Sequence, residues 1–188
     1  MTNLRDAPPR QAPVLDADGV RRALIRLAHE IVESNQGIDG LVLAGIQRSG
    51  VAPMQRIVDE IERFEGRRPA AGTLDVTMHR DDLSRRGLET HPRPTELPDI
   101  DGHTVVLIDD VLFTGRTVRA AMDALNDYGR PRAIRLAVLV DRGHRELPIR
   151  ADMVGKNIPT AREDTVRVLT EADDGRDAVI IVPGRAIA

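Results

Sequence analysis

The chain has 188 residues, 41% apolar but only 2% aromatic, with no cysteine and a net charge of −3 from 27 basic and 30 acidic side chains. That length fits one medium domain with an aliphatic core. The absence of cysteine excludes a disulfide framework and a thiolate zinc site, and the near balance of charge excludes a whole-molecule polyanion binder, so any nucleic-acid contact has to be a local patch. The start, Met1 to Asp6, lacks a charged-then-apolar leader pattern, and no apolar run approaches the ~18 residues of a membrane span. A cytoplasmic protein without a membrane partner is the expectation. Residues Met1 to Pro13 carry three prolines and read as a loose arm.

Asp18 to Asn35 has helical periodicity, with Val20, Leu24, Leu27, Ala28 and Ile31 on one face. At 100° per residue, Arg22, Arg26, His29 and Glu33 gather on the opposite face, which is either simply solvated or a basic surface for RNA. Gly40 to Ile46 reads as a buried strand, followed by Gln47, Arg48, Ser49 and Gly50 and a helix that opens near Ala52 and Pro53. Glycines and an arginine at that junction are a weak phosphate signal. Leu74 to Met78 alternates like a strand with one polar face, and His79-Arg80-Asp81-Asp82 follows it. The polar tract Leu83 to Asp101, with three prolines, is expected to be a mobile flap.

Val105 to Thr117 is the most informative stretch: β-favouring apolar residues run into Asp109 and Asp110, then into Val111 to Gly115, ending on Thr117, a hydroxyl placed to cap the next helix. In an open α/β sheet, ligands bind outside the carboxyl ends of parallel strands, where helix amides favour anions. A phosphate on Thr114 to Thr117 with a sugar diol on Asp109 and Asp110 fits both halves. An acidic receiver-type pocket or an ordinary capped helix start also fits the local pattern, whereas a Walker loop does not, because no Gly-Lys-Ser/Thr is present. The helix after Thr117 stops near Gly129 and Pro131, Ala133 to Val140 is another strand, and Val166 to Leu169 pairs with Val179 to Val182 around Asp173-Asp174-Gly175. This order predicts one α/β domain over residues 1–188, a mostly parallel sheet flanked by helices, with the loops after Ile46, Asp110 and Asp141 meeting at one cleft.

The Asp-Asp-x-x-x-Thr-Gly-x-Thr stretch resembles the 5-phosphoribosyl diphosphate (PRPP) signature of type I phosphoribosyltransferases. Together with Arg80-Asp81-Asp82 and the run Asp141 to Thr160, it is similar to the bifunctional pyrimidine-operon attenuator and uracil phosphoribosyltransferase family, PyrR, over roughly Val20 to Val182. The resemblance implies Mg²⁺-dependent conversion of PRPP and uracil to UMP and diphosphate in a type I fold with a flap over 83–101 and a base-binding hood over 141–165. It implies Arg80, Asp109 and Asp110 as catalytic residues, the two carboxylates touching any metal only through PRPP and water. Gly45, Gln47, Arg48 and Ser49 would form the diphosphate loop, Val111, Thr114, Gly115, Arg116 and Thr117 the 5′-phosphate loop, and Met153, Val154, Lys156 and Ile158 the uracil site. Arg26, His29, Arg145, Arg150 and Lys156 would form an RNA face for the leader of a pyrimidine operon, responsive to UMP or UTP, in a homodimer or tetramer.

The chain departs from the family pattern at four places. Arg48-Ser49-Gly50 stands where Thr-Arg-Gly is usual, which shifts the arginine by one; Phe113 and His79 replace tyrosines; and Ile25 replaces a threonine hydroxyl on the RNA face. A phosphoribosyltransferase without an RNA role, or with another nucleobase, is the alternative reading.

Overall fold

The computed structural model describes residues 13–80 and 93–184; Asp81, Asp82, the flap as far as residue 92 and the arm as far as residue 12 lie outside the described residues. Helix α1 spans Ala17–Asn35 and starts where the Asp16 carboxylate accepts the Gly19 N–H at 2.7 Å. It ends where Gln36 adopts a left-handed conformation and the Gly37 N–H reaches back to the Val32 carbonyl. Strand β1, Leu41–Ile46, is buried along its whole length, as expected of a central parallel strand covered on both faces. Helix α2, Val51–Glu65, buries Met54, Ile57, Val58 and Ile61 against it.

The remaining elements are β2 (Ala70–Leu74), β3 (Thr104–Leu112), α3 (Arg116–Leu125), β4 (Ala133–Asp141), β5 (Met153–Asn157), β6 (Thr165–Leu169), the short α4 (Glu171–Asp174) and β7 (Ala178–Val182). Five parallel strands form the main sheet in the order β2-β1-β3-β4-β5. Its two faces carry separate aliphatic cores. Val106, Ile108 and Leu139 pack under α1 and α2, whereas Val105, Leu107 and Val138 pack under α3. β6 and β7 pair antiparallel as a separate hairpin, as the sequence implies, and Leu15 bridges to Val179 so that the hairpin closes against α1.

Four expectations are corrected. The second strand runs over Ala70–Leu74 rather than Leu74 to Met78. Asp75 folds back to accept the Thr77 N–H at 2.7 Å, a tight turn over Thr77–His79 follows, and Met78 is left 73% exposed. Met153–Asn157, placed in the hood by resemblance, is instead a fifth strand beside β4, and its buried Met153 and Gly155 belong to the sheet. β3 continues past both carboxylates to Leu112. Finally, the stretch 93–101 assigned to the flap lies against the sheet: Glu96 bridges Thr73 and Ile100 is fully buried.

Candidate active site

The parallel strands bring the carboxyl ends of β1, β3 and β4 to one edge. At the end of β3, Asp109 is 5% exposed and accepts the Asp110 N–H at 3.0 Å. Burial, reinforced by the charge of Asp110, pushes the Asp109 carboxyl well above the usual carboxylate range, and the Arg80 cation opposes that rise. Asp110 is half-buried and accepts the Val111 N–H at 2.7 Å. The two carboxylates therefore differ: Asp109 is buried while Asp110 is only half-buried.

Beyond them the chain turns through Gly115, whose φ of 92° is strained for any residue with a Cβ. This turn lets α3 begin at Arg116, one residue before Thr117, and no side chain caps it from Gly115. The expected cap, Thr117, instead accepts a hydrogen bond from Arg80 Nη1 at 2.9 Å. The Thr114 hydroxyl reaches the Arg116 N–H only at 3.4 Å. The N-terminus of α3, with its positive helix end, lies at this turn and favours an anion. The loop is braced from behind. The Glu146 and Leu147 N–H groups donate to the Thr114 carbonyl at 3.0 and 3.3 Å, and Arg145 Nη1 donates to the Phe113 carbonyl at 2.9 Å. Arg116 donates to Glu146 at 2.9 Å, and that hydrogen bond holds the Glu146 carboxyl below its ordinary range.

After β1, Gln47, Arg48 and Ser49 curve over the sheet edge, and Gly50 closes the curve. A Cβ on Gly50 would lie 2.1 Å from the Ile108 carbonyl oxygen, so only glycine lets this loop pass β3. Gly45 is packed against Met54 and Val51 beneath the loop. Gln47 donates from its side chain to Thr73 at 3.3 Å and to the Pro94 carbonyl at 3.0 Å, so it grips the 93–97 segment, while Arg48 and Ser49 are exposed. Arg80, at the end of the Thr77–His79 turn, joins this side to the phosphate loop through Thr117.

The assigned uracil residues are divided. Val154 and Ile158 line a cavity of about 530 Å³ with Asp141, Arg142 and Arg150, Met153 is buried on the α1 side of the sheet, and Lys156 is exposed. Arg142, which no sequence pattern singled out, is 6% exposed. Its guanidinium lies 4.1 Å from the Phe113 ring centroid and donates to the Thr160 hydroxyl and to the carbonyls of Ala161, Arg162 and Asp164. It pins the loop before β6 to the end of β3. Only a buried arginine following a strand-end aspartate could have signalled it, and burial is not written in the local sequence.

The assigned RNA residues fall into two groups. Arg26 donates to the Gly155 carbonyl, which brings it beside Lys156 on the outer edge of β5, and the His29 ring stacks on Phe64 with centroids 4.1 Å apart. Arg145 and Arg150 instead line the cavity at the end of β4. The Arg145 guanidinium is engaged by Asp141 and by the carbonyls of Phe113, Gly143 and Ile149, so the structure gives it a bracing task that the sequence did not indicate. Among the described residues, no three His, Asp or Glu side chains form a metal cage, and no helix is long and apolar enough to cross a membrane.

A phosphoribosyl transferase domain model matches residues 11–169. The chain is 58% identical over 174 residues to the bifunctional protein PyrR of Chloroflexus aurantiacus, covering 92% of this chain and 96% of that one. It is 55% identical to the PyrR of Thermus aquaticus, covering 90% and 94%, and 53% identical to that of Streptomyces coelicolor, covering 96% and 94%. Among solved structures, the hypoxanthine phosphoribosyltransferase of Trypanosoma cruzi superposes with a TM-score of 0.66 over 93% of this chain and 98% of that one; at 18% identity this shows the shared fold alone. The acidic pair at the end of β3, the uncapped helix after Gly115 and these relatives converge, and the chain belongs to the phosphoribosyltransferases and, within them, to PyrR, the family of bifunctional pyrimidine-operon attenuators and uracil phosphoribosyltransferases.

Proposed function

We propose that this chain transfers the phosphoribosyl group of PRPP to uracil, giving UMP and diphosphate, and that the occupied site governs its grip on the leader RNA of a pyrimidine operon. The observation that carries the first part is the convergence of Asp109, Asp110, Arg80 and the N-terminus of α3 at one sheet edge. The 5′-phosphate lies on the amides of Gly115 to Thr117 and the hydroxyl of Thr114, with Val111 beneath the sugar. The ribose hydroxyls meet Asp110, with Asp109 behind it.

Transfer breaks the bond from C1 to the diphosphate oxygen and forms one from C1 to a uracil nitrogen, whose proton passes to the departing diphosphate or to water. Positive charge grows on the sugar, near the two carboxylates, and negative charge on the leaving diphosphate, near Arg80, Arg48 and the amides of the Gln47–Ser49 loop. No covalent nucleophile is required. Mg²⁺ prefers hard oxygen donors, and here it would be held by PRPP oxygens and water, with Asp109 and half-buried Asp110 reaching it only through them. When bound, Mg²⁺ would neutralise charge on the leaving diphosphate. Uracil is placed beside the cavity at the ends of β4 and β5, whose wall includes Val154 and Ile158.

Arg26, His29 and Lys156 on the α1 and β5 surface supply the RNA contacts, and Arg150 extends them along the end of β4. Such contacts are dominated by phosphates and weaken with salt, with bases read where they are unstacked. A cytoplasmic homodimer or tetramer, as the resemblance implies, is the form in which this face would act. Incubating the protein with Mg²⁺, PRPP and labelled uracil tests the reaction. UMP and diphosphate should form in equal amounts, and Asp110→Asn should lose most of the turnover; full activity in that variant would overturn the site. Binding of a pyrimidine-operon leader hairpin, with and without UMP, tests the second part, which fails if UMP leaves the affinity unchanged.

A further inference from the structure

Asp75 is the residue at which the sequence pattern and the structure part company, because the alternation through Leu74 to Met78 stops there. An aspartate that ends a strand commonly caps the next turn and does nothing more. Here the side chain does more than cap. One oxygen accepts the Thr77 N–H at 2.7 Å and so fixes the single turn from which Arg80 extends. The other accepts the N–H of Arg93, a residue 18 positions further on. The Asp75 N–H donates to the Thr95 hydroxyl at 2.9 Å, which holds the same returning segment whose Pro94 carbonyl is gripped by Gln47.

Arg48 lies close enough for its charge to favour the ionised carboxylate. Burial by itself would raise the Asp75 pKa, but the hydrogen bonds from Thr77 and Arg93 and the charge of Arg48 together outweigh it and leave the group below its ordinary range. The carboxylate is therefore ionised at neutral pH.

We propose that Asp75 is a positioning residue for the leaving-group end of the site, setting Arg80 through the Thr77–His79 turn and the 93–97 segment through the Arg93 amide and the Thr95 hydroxyl. The inference rests on the phosphoribosyl-transfer reading above. Asp75 itself need not touch substrate. Its effect passes through Arg80.

A double-mutant cycle decides the matter. Asp75→Ala and Asp75→Asn are made in the wild-type chain and in Arg80→Ala, and initial rates are measured with PRPP and uracil. In the wild-type background Asp75→Ala is expected to lower kcat/KM for PRPP about tenfold, with Asp75→Asn between the two because its amide oxygen still accepts one N–H. In the Arg80→Ala background the same substitutions should change the rate less than about threefold, because the group they position is already gone. Equal effects in both backgrounds, or unchanged rates in both variants, would overturn the proposal. If Asp75→Ala does not fold, Asp75→Asn alone completes the cycle under the same criterion. A wild-type chain that releases no diphosphate overturns the transfer reading instead. The cycle is then read on PRPP affinity by calorimetry, where additivity of Asp75 and Arg80 counts against the positioning role.

Discussion

The two loops proposed to face phosphate at the sheet edge are held in opposite ways. The 5′-phosphate loop, Phe113 to Thr117, is pinned through its own backbone: the Thr114 carbonyl accepts two N–H groups from the 146–147 segment, the Phe113 carbonyl accepts Arg145, and α3 follows directly. The diphosphate side is built from exposed Arg48 and Ser49 and from Arg80, and side chains hold it together: Arg80 donates to Thr117, Asp75 accepts from the turn before Arg80, and Gln47 donates to the Pro94 carbonyl. The difference matches what each side has to do. The 5′-phosphate is present in both PRPP and UMP, so a rigid cradle costs nothing during turnover, whereas diphosphate has to be gripped as its bond breaks and then released.

Breaking the side-chain half should have the largest effect. Arg80→Ala is expected to lower kcat about 10²- to 10³-fold, the usual cost of deleting one preorganised donor to developing negative charge, while UMP affinity, measured by calorimetry, changes little. If UMP affinity falls as far as kcat, the two loops are not separable and the comparison fails. Breaking the backbone half is the reverse test. Gly115→Ala forces a Cβ into φ of 92°, at a cost of about 1–2 kcal/mol, and this should be seen as weaker UMP binding together with a raised KM for PRPP.

A third variant sharpens the contrast between the two carboxylates. Because the folded Asp109 carboxyl is raised by burial, the folded chain keeps a proton that the unfolded chain has released, at every pH between the ordinary carboxylate value and the raised one. Stability therefore declines as pH rises through that window and levels off above it. Asp109→Asn should remove this decline and be more stable than the wild type at neutral pH, by about 1–3 kcal/mol, the scale of an under-compensated buried polar group, while transferring poorly. A lower melting temperature at neutral pH would show that Arg80 already compensates the charge. The smallest effect on catalysis is expected from Arg26→Ala combined with His29→Ala, two side chains exposed on α1. Turnover should hold, and the slope of leader-RNA affinity against salt, both on logarithmic scales, should fall by about one for each RNA phosphate no longer neutralised.

Residues with strong local physics read correctly. The periodicity from Val20 to Ile31 specified α1 and its buried face almost to the residue, and the run from Val105 into Asp109 specified a strand carrying the acidic pair, although that strand runs on to Leu112. The failures share a cause. Leu74 to Met78 alternates like a strand, yet Asp75 found amides at Thr77 and Arg93 that compete with a ladder. Met153 to Asn157 is short and broken by Gly155 and Lys156, so its strand character comes only from the β4 edge lying ready beside it. Arg145 looked like a surface cation because nothing nearby in sequence reveals the carbonyls of Phe113 and Ile149 that it meets.

By itself, then, the sequence determined the α/β class, the acidic pair, the glycine turn before α3 and the family, because these depend on contiguous residues whose propensities and spacings act locally. Only the tertiary structure decided which carboxylate is buried, that Thr117 serves Arg80 rather than its helix, that Arg142 and Arg145 are internal braces, and that Asp75 ties the turn before Arg80 to the 93–97 segment. Burial and long-range hydrogen bonding belong to the packed sheet edge, where residues far apart in the chain compete for the same few donors and acceptors.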